Sequence, residues 1–480
     1  MNTIKKQTTL FFLLILLAEA LSFSGYLWPS FNKIGFVVIC LVAIWLAVKN
    51  LRYALLLLLA ELIIGSKGYL FFYDINGTAV SIRIALWLIV MGFWLTGIIN
   101  TAIKKIKNKR WPNLLPDFAY AKYFYVLMLA VAWGLVMALF RGNDFSNIFF
   151  DINNWLYLTL LFPMVANFST KDDWQKLLQV GTASVAWLVV ETAGLLFFFS
   201  HAGEWGDSAV YRWLRTSGVG EVTSMGSGFV RVFFQSHIYV LIAVCLLLPI
   251  IIERLKNKQP LWLKWWLATA GLTIILIGQS RSFWVGLIAA LIVLIIYLLK
   301  DKLAWQAWLK FIGLAVMSVT AGLLIMTALV KLPGLGAWNA LSQRTNLDES
   351  AVASRWNLIP KLWQAIKVSP IVGQGFGKTI VYQSSDPRVL EQSADGTYET
   401  YAFEWGWLDI WLKMGLLGVL TYLLLLFKLI RTSLTHQQIG LALGLVALAT
   451  VHFFTPYLNH PLGLGVVMLS AVWLSRQGKS

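Results

Sequence analysis

Charge is what this chain of 480 residues has little of: only 13% of them are Asp, Glu, Lys or Arg. A soluble domain carries about 25%, so a water-soluble globular protein of this length is excluded. Cysteine is scarcer still. Cys40 and Cys245 both lie inside apolar runs, which leaves no disulfide framework and no cysteine metal site. Acids are few beside bases, 22 against 39, for a net charge of +17. In a soluble protein that excess would suggest nucleic acid. Here the basic residues gather in short loops between apolar runs, as in the inward-facing loops of a membrane protein, and no nucleic-acid partner is expected. Internal repeats and low-complexity segments are absent as well.

What fills the chain is apolar: 59% of residues, with 24 Trp and 16 Tyr suited to the two membrane–water interfaces. Runs of about 18 residues, each long enough to cross some 30 Å of hydrocarbon, recur from end to end. The expected fold is therefore an all-α polytopic membrane protein embedded in a lipid bilayer, with about fourteen transmembrane helices. They fall near 8–28, 32–49, 51–71, 82–103, 119–140, 148–168, 176–200, 235–253, 261–279, 282–299, 308–330, 405–429, 436–456 and 460–475. The first run outlasts a signal peptide and carries Glu19, so it reads as a retained span.

Alternate loops hold "KNLR", "KKIKNKR", "STKDDWQK", "ERLKNKQP", "KDK" and "KLIR". This alternation predicts both termini in the cytoplasm. Two outside segments are too long for simple connections, 201–231 and 331–404. The expected organisation is helices 1–11 over 1–330, the large outer loop over 331–404, and helices 12–14 over 405–480. Within the outer loop "SRWNLIPKLWQAI" has helical amphipathic spacing, which predicts a helix on the membrane surface. Ser354 is placed to cap it and Pro360 to bend it.

Three arginines stand at outer span edges: Arg231 in "GFVRVFFQSH", Arg281 in "GQSRS" and Arg355 in "VASRWNL". Arg212 and Arg215 precede them in the 201–231 segment, and Ser280 and Ser282 flank Arg281. Guanidinium binds phosphate oxygens through paired donors and stays charged, so this set suits a diphosphate at the interface. The competing account is snorkelling to lipid headgroups or pairing with a carboxylate.

A second constellation is "YETYAFEWGWLDIWLKMGLLGVL", 398–420, where Glu404 and Asp409 open an apolar span and Glu399 lies just before. Ionisable groups there are costly and are functional candidates by default. Glu404 is the candidate general base, set against a structural pairing with an arginine. Asp409 lies off its helical face and reads as structural. His237, His452 and His460 near outer span ends are reserve acid–base candidates, as is Glu399. Glu19, Glu61, Asp151 and Glu191 are scattered through the spans and are assigned to hydrogen bonding inside the bundle. "GQGFGK", 373–378, has the look of a phosphate loop but lacks the strand and Lys-Ser/Thr frame, so it reads as a turn.

These motifs together resemble the O-antigen ligase and polymerase superfamily of bacterial surface-polysaccharide assembly. The likeness rests on "SRS" before an apolar span, then Ser354, Arg355, Trp363, Pro370, Gly373 and Gly375 in "SRWNLIPKLWQAIKVSPIVGQGFG", then "MGLLGVL". It covers about 230–425 by motif. In ligases and many relatives a His-Asn or His-Ser pair lies about eleven residues before the glycine of the last motif. Counting back from Gly415 reaches Glu404, so a carboxylate stands where an imidazole is usual.

The resemblance implies a GT-C-like membrane glycosyltransferase of the bacterial cytoplasmic membrane, with its active site on the outer face and neither cofactor nor metal. Its donor would be a polyprenyl-diphosphate-linked glycan and its acceptor a hydroxyl of a glycan or lipid-glycan. In that frame Glu404 and Arg281 are catalytic, and Arg231, Arg281, Arg355, Arg212, Arg215, Ser280 and Ser282 bind the diphosphate. Polymerisation of repeat units is the first expectation and ligation of a finished glycan the second. A non-catalytic transporter or flippase is the rival from another class, but the sequence offers no matching pair of broken spans.

Overall fold

The computed structural model describes residues 2–108, 116–203, 205–225, 229–301, 304–331, 350–391, 393 and 395–477. Helix dominates them. In chain order the elements are α1 (Asn2–Leu27), α2 (Pro29–Lys49), α3 (Leu51–Ile64), β1 (Phe72–Ile75), β2 (Thr78–Ser81), α4 (Ile82–Lys107) and α5 (Ala121–Phe140). Then come α6 (Phe145–Leu156), α7 (Leu161–Asn167), α8 (Lys171–His201), α9 (Ala209–Ser217), β3 (Glu221–Met225) and β4 (Phe229–Phe233). They are followed by α10 (His237–Lys256), α11 (Trp262–Gly278), α12 (Arg281–Lys300), α13 (Trp305–Ala328), α14 (Ser350–Val368), β5 (Ile380–Gln383) and the single turn α15 (Pro387–Leu390). The chain closes with β6 (Thr397–Thr400), α16 (Gly406–Thr435), α17 (Ile439–Phe454) and α18 (Pro461–Gln477).

Each of the apolar segments named from the sequence carries helix. Among the described residues, ten helical spans are long and apolar enough to cross a membrane, one of them, Phe145–Asn167, comprising α6 and α7 together, and α11 and α17 are shorter apolar helices. α3, with 14 residues, and α18, with 17, are short as well. Side chains such as Leu41 and Trp45 of α2 point outward at 59% exposure, the pattern of a helix facing lipid. Helices suit this setting because all their backbone polar groups pair within the segment.

The structure departs from the sequence reading at two kinds of place. The segment 51–71 stays helical only to Ile64. Ser66 takes a left-handed backbone (φ 44), and the Ser66 carbonyl accepts from Arg83 Nη1 at 2.6 Å. The same guanidinium grips Glu61 through Nε (2.9 Å) and Nη2 (3.1 Å), so a buried ion pair ends the helix early. The connections, moreover, hold three antiparallel hairpins, β1–β2, β3–β4 and β5–β6. Two-stranded ribbons satisfy half their backbone groups locally, which suits segments lying over a helical core.

The chain forms two compact units interleaved in sequence, 1–118, 160–280 and 298–340 in one, and 119–159, 281–297 and 341–480 in the other. In the first, α1 packs on α8, α10 on α11 and α11 on α13. A capping box starts α8: Thr170 Oγ1 accepts from the Asp173 amide (3.2 Å), and Asp173 Oδ2 accepts from the Thr170 amide (2.8 Å). In the second, α16 packs on α5, α14, α17 and α18.

α14 is amphipathic as its spacing predicts. Leu358, Leu362 and Ile366 form one stripe, buried with Ile380, Phe403 and Leu412. Trp356 and Trp363 stay exposed. The expected cap at Ser354 is not there. The helix begins four residues earlier and runs on through Pro360, and the Ser354 hydroxyl instead meets that of Ser384 at 2.7 Å.

Candidate active site

The framework of the site is a broken helix. α16 is interrupted at Gly415, whose backbone (φ 67, ψ −170) is not helical. Such a break frees carbonyls before it and amides after it, each costing about 1–3 kcal/mol if buried unpaired. The segment 369–377 supplies the partners. The Gln374 amide donates to the Leu412 carbonyl (2.6 Å), the Gly375 amide to that of Lys413 (3.0 Å), and the Leu416 amide to that of Pro370 (3.0 Å). The next amide, of Phe376, donates to the Gly134 carbonyl of α5 (3.3 Å).

Two glycines make this contact sterically feasible. Gly375 has φ +82, and a Cβ there would lie 2.2 Å from the Ala138 nitrogen. Gly415 has φ +67, and its Cβ would lie 2.1 Å from the Ile371 carbonyl oxygen. The "GQGFGK" stretch is thus neither a phosphate loop nor a plain turn. Its amides are spent on protein acceptors.

Beneath the loop lies a buried charge cluster. Lys413 Nζ contacts Asp151 Oδ1 at 2.7 Å and Asp409 Oδ1 at 2.6 Å, with the lysine and Asp409 side chains only 3% exposed and Asp151 10%. Asp151 Oδ2 accepts from the Gly377 amide (2.9 Å) and Asp409 Oδ2 from Asn459 Nδ2 (2.5 Å). Tyr401 lies beside the cluster. Burial, followed by the charge of Asp151, raises its hydroxyl above the ordinary tyrosine range. Asp409 is accordingly a structural group, as its helical position suggests, and Asp151 is tied to a lysine by an ion pair rather than by a neutral hydrogen bond. Lys413 was legible as the i+4 partner of Asp409 in "DIWLK". Asp151, distant in sequence, was not.

Glu404 sits two residues ahead of α16, at the rim of this framework. Arg355 of α14 engages both of its oxygens: Nη2 donates to Oε1 at 3.1 Å, and Nε contacts Oε2. The side chains are 44% and 49% exposed, so solvent and solutes reach them. α14 is held against this rim by indoles: Trp405 Nε1 donates to the Arg355 carbonyl (2.9 Å) and Trp411 Nε1 to that of Pro370 (2.8 Å). Glu399 lies on β6 opposite Val381 and is exposed. At the hairpin's turn, Asp395 accepts from the Ser393 hydroxyl (2.6 Å) and from Thr397, which lowers its carboxyl to about 2.

His452 lies behind the first turn of α16. Its Nδ1 accepts from the Leu458 amide at 3.1 Å, and a Cβ on Gly406 would lie 2.3 Å from its Cε1. It is fully buried, and that placement removes it from direct contact with a substrate. His460 Nδ1 accepts from the Leu462 amide at 3.4 Å. In the same unit Arg281 is the first residue of α12, and the buried Ser282 hydroxyl meets that of Thr455 at 3.2 Å.

In the other unit, Arg231 on β4 reaches the "GQSRS" stretch: its Nε donates to the Gly278 carbonyl at 2.8 Å. Gln279, the next residue, takes a left-handed backbone (φ 43), and the half-buried Ser280 follows. Arg212 is engaged by the Asp207 carbonyl (2.7 Å) and Arg215 pairs with Glu221 (3.9 Å). His237 is fully buried: Nδ1 accepts from the Phe234 amide, so Nε2 carries the proton toward Thr192 Oγ1 at 2.8 Å.

A multi-pass α-helical membrane protein, with an exposed arginine–carboxylate pair seated on a broken helix, is what these elements define. Residues 266–423 match the family model described as O-antigen ligase, which supports the resemblance to the O-antigen ligase and polymerase superfamily. The matched stretch holds Arg281, Arg355, the 369–377 segment, Glu404 and Gly415. No curated protein and no solved structure matches the chain.

Proposed function

We propose that this protein is a membrane glycosyltransferase that extends a surface polysaccharide by joining repeat units carried on polyprenyl diphosphate. The observation that carries the reading is the exposed Arg355–Glu404 pair inside the family match. In the reaction an acceptor hydroxyl attacks the anomeric carbon of the donor sugar. The bond from that carbon to the diphosphate oxygen breaks, and the diphosphate leaves with its electron pair. Glu404 takes the acceptor's proton. Arg355 and Arg281 offset the charge that develops on the leaving group.

Arg355 occupies both carboxylate oxygens of Glu404. Donor binding therefore does two things at once: the diphosphate draws Arg355 away, and Glu404 is released to act. The site lies on the outer face of the cytoplasmic membrane, and the Trp-bearing face of α14 rests on lipid. Ligation of a finished glycan to a lipid-glycan acceptor is the second reading, favoured by the family's own description. Glu404, standing where ligases carry histidine, favours polymerisation.

The test is turnover of lipid-linked repeat units by purified protein, normalised to folded enzyme. Glu404→Gln keeps size and hydrogen bonding but not basicity, so turnover should fall by about 10²–10⁴-fold. Glu404→His should recover part of it. Unchanged turnover in Glu404→Gln would remove this residue as the base, and long products versus single transfers would separate polymerase from ligase.

A further inference from the structure

Within the first unit, Glu19 of α1 and Glu191 of α8 face each other from two packed helices, their carboxyl groups within hydrogen-bonding reach. Their exposures are 3% and 8%. Glu19 lies eight residues from the end of its span and Glu191 ten from the end of its own, about 12 Å and 15 Å at 1.5 Å per residue. Both are therefore well inside the apolar layer.

All four carboxyl oxygens are buried away from water. The indole N–H of Trp187, one turn before Glu191 and also buried, is the donor beside Glu19. Ionisable groups on the elements packed around this pair are engaged or remote. Arg52 is held by Asp173, Glu61 by Arg83, and His237 by Thr192, while Lys33 and Lys49 are exposed near the ends of α2.

Two carboxylates in contact offer each other only acceptors, and two like charges in low dielectric repel strongly. One proton changes both facts. The protonated acid donates to its neighbour, and a lone charge or none remains to be desolvated. We infer that Glu19 and Glu191 form a proton-binding carboxyl pair in the membrane interior, separate from the transfer site and holding at least one proton at neutral pH.

The probe is dicyclohexylcarbodiimide, which enters hydrocarbon and reacts with protonated carboxyl groups. Full-length protein in liposomes is treated at about pH 8, where an ordinary glutamate of pKa about 4.3 is ionised, and the adducts are mapped by mass spectrometry. Glu19 or Glu191 should react at least about tenfold faster than the exposed Glu399, one pKa unit being tenfold in protonated fraction. The double substitution Glu19→Gln/Glu191→Gln should abolish the fast adduct and leave the melting temperature unchanged or higher. Equal rates at the pair and at Glu399 overturn the inference. So does protection by sodium at constant ionic strength, which would mark a bound cation instead of a proton.

Discussion

Two charged places lie at the start of α16, and they behave as opposites. At its threshold Glu404 meets Arg355 with both side chains nearly half exposed. Two turns further on, Lys413 bridges Asp409 and Asp151 with almost no exposure. An exposed pair contributes about 0–1 kcal/mol to stability. A buried group of charges contributes little net, yet removing one member leaves an uncompensated charge at a cost of about 3–5 kcal/mol. One place is therefore free to change its partners and the other is not. The rigid cluster fixes the helix break, and the break fixes where Glu404 stands.

The largest effect should follow from Lys413→Met. It leaves Asp151 and Asp409 buried together without their cation, so stability should fall by about 3–5 kcal/mol, read as a lower melting temperature in detergent. The triple variant Lys413→Met/Asp151→Asn/Asp409→Asn should regain much of that loss, because it removes the charges as a set. A single variant melting with the parent would end the contrast between the two places.

Gly375→Ala should come next. Its left-handed backbone alone costs about 1–2 kcal/mol with a Cβ present. The added carbon would also meet the Ala138 nitrogen at 2.2 Å, so α5 must shift and the caps on the Leu412 and Lys413 carbonyls must loosen. Melting temperature should fall, and turnover per folded molecule should fall too, since the loop seats the helix that positions Glu404. Normal melting with normal turnover would mean that the loop does not hold the break.

Much of this was legible in the sequence because composition and period report burial in a bilayer. Each apolar run became helix, and the stripe Leu358, Leu362 and Ile366 follows from helical spacing alone. Glu404 and Arg355 were both singled out, and their pairing stood as one of two readings. The break at Gly415 was not legible. "MGLLGVL" looks like a continuous helix, and what interrupts it is a distant segment whose amides replace the lost ladder. The same holds for the intramembrane acids. Taken singly they looked scattered, whereas each has a particular neighbour: Arg83 for Glu61, Lys413 for Asp151, and another acid for Glu19. Pairing across the bundle depends on which helices touch, and helical period in one segment does not encode that.

The smallest stability effect belongs to the exposed pair. Arg355→Ala and Glu404→Ala, singly and together, form a double-mutant cycle. Because water already solvates both side chains, the coupling energy from melting curves should be no more than about 1 kcal/mol. Turnover should behave differently. The proposed reaction gives each group its own task, so both single variants should be nearly inactive and the double variant scarcely worse. Arg355→Lys should keep the melting temperature yet recover little activity, since one ammonium cannot match the two donors that Nε and Nη2 place on a carboxylate or phosphate. A coupling energy of 3 kcal/mol or more, as a buried pair gives on losing one partner (about 3–5 kcal/mol), would make the pair a structural clasp like the Lys413 cluster. The base would then have to be sought elsewhere, with the exposed Glu399 on β6 the reserve candidate.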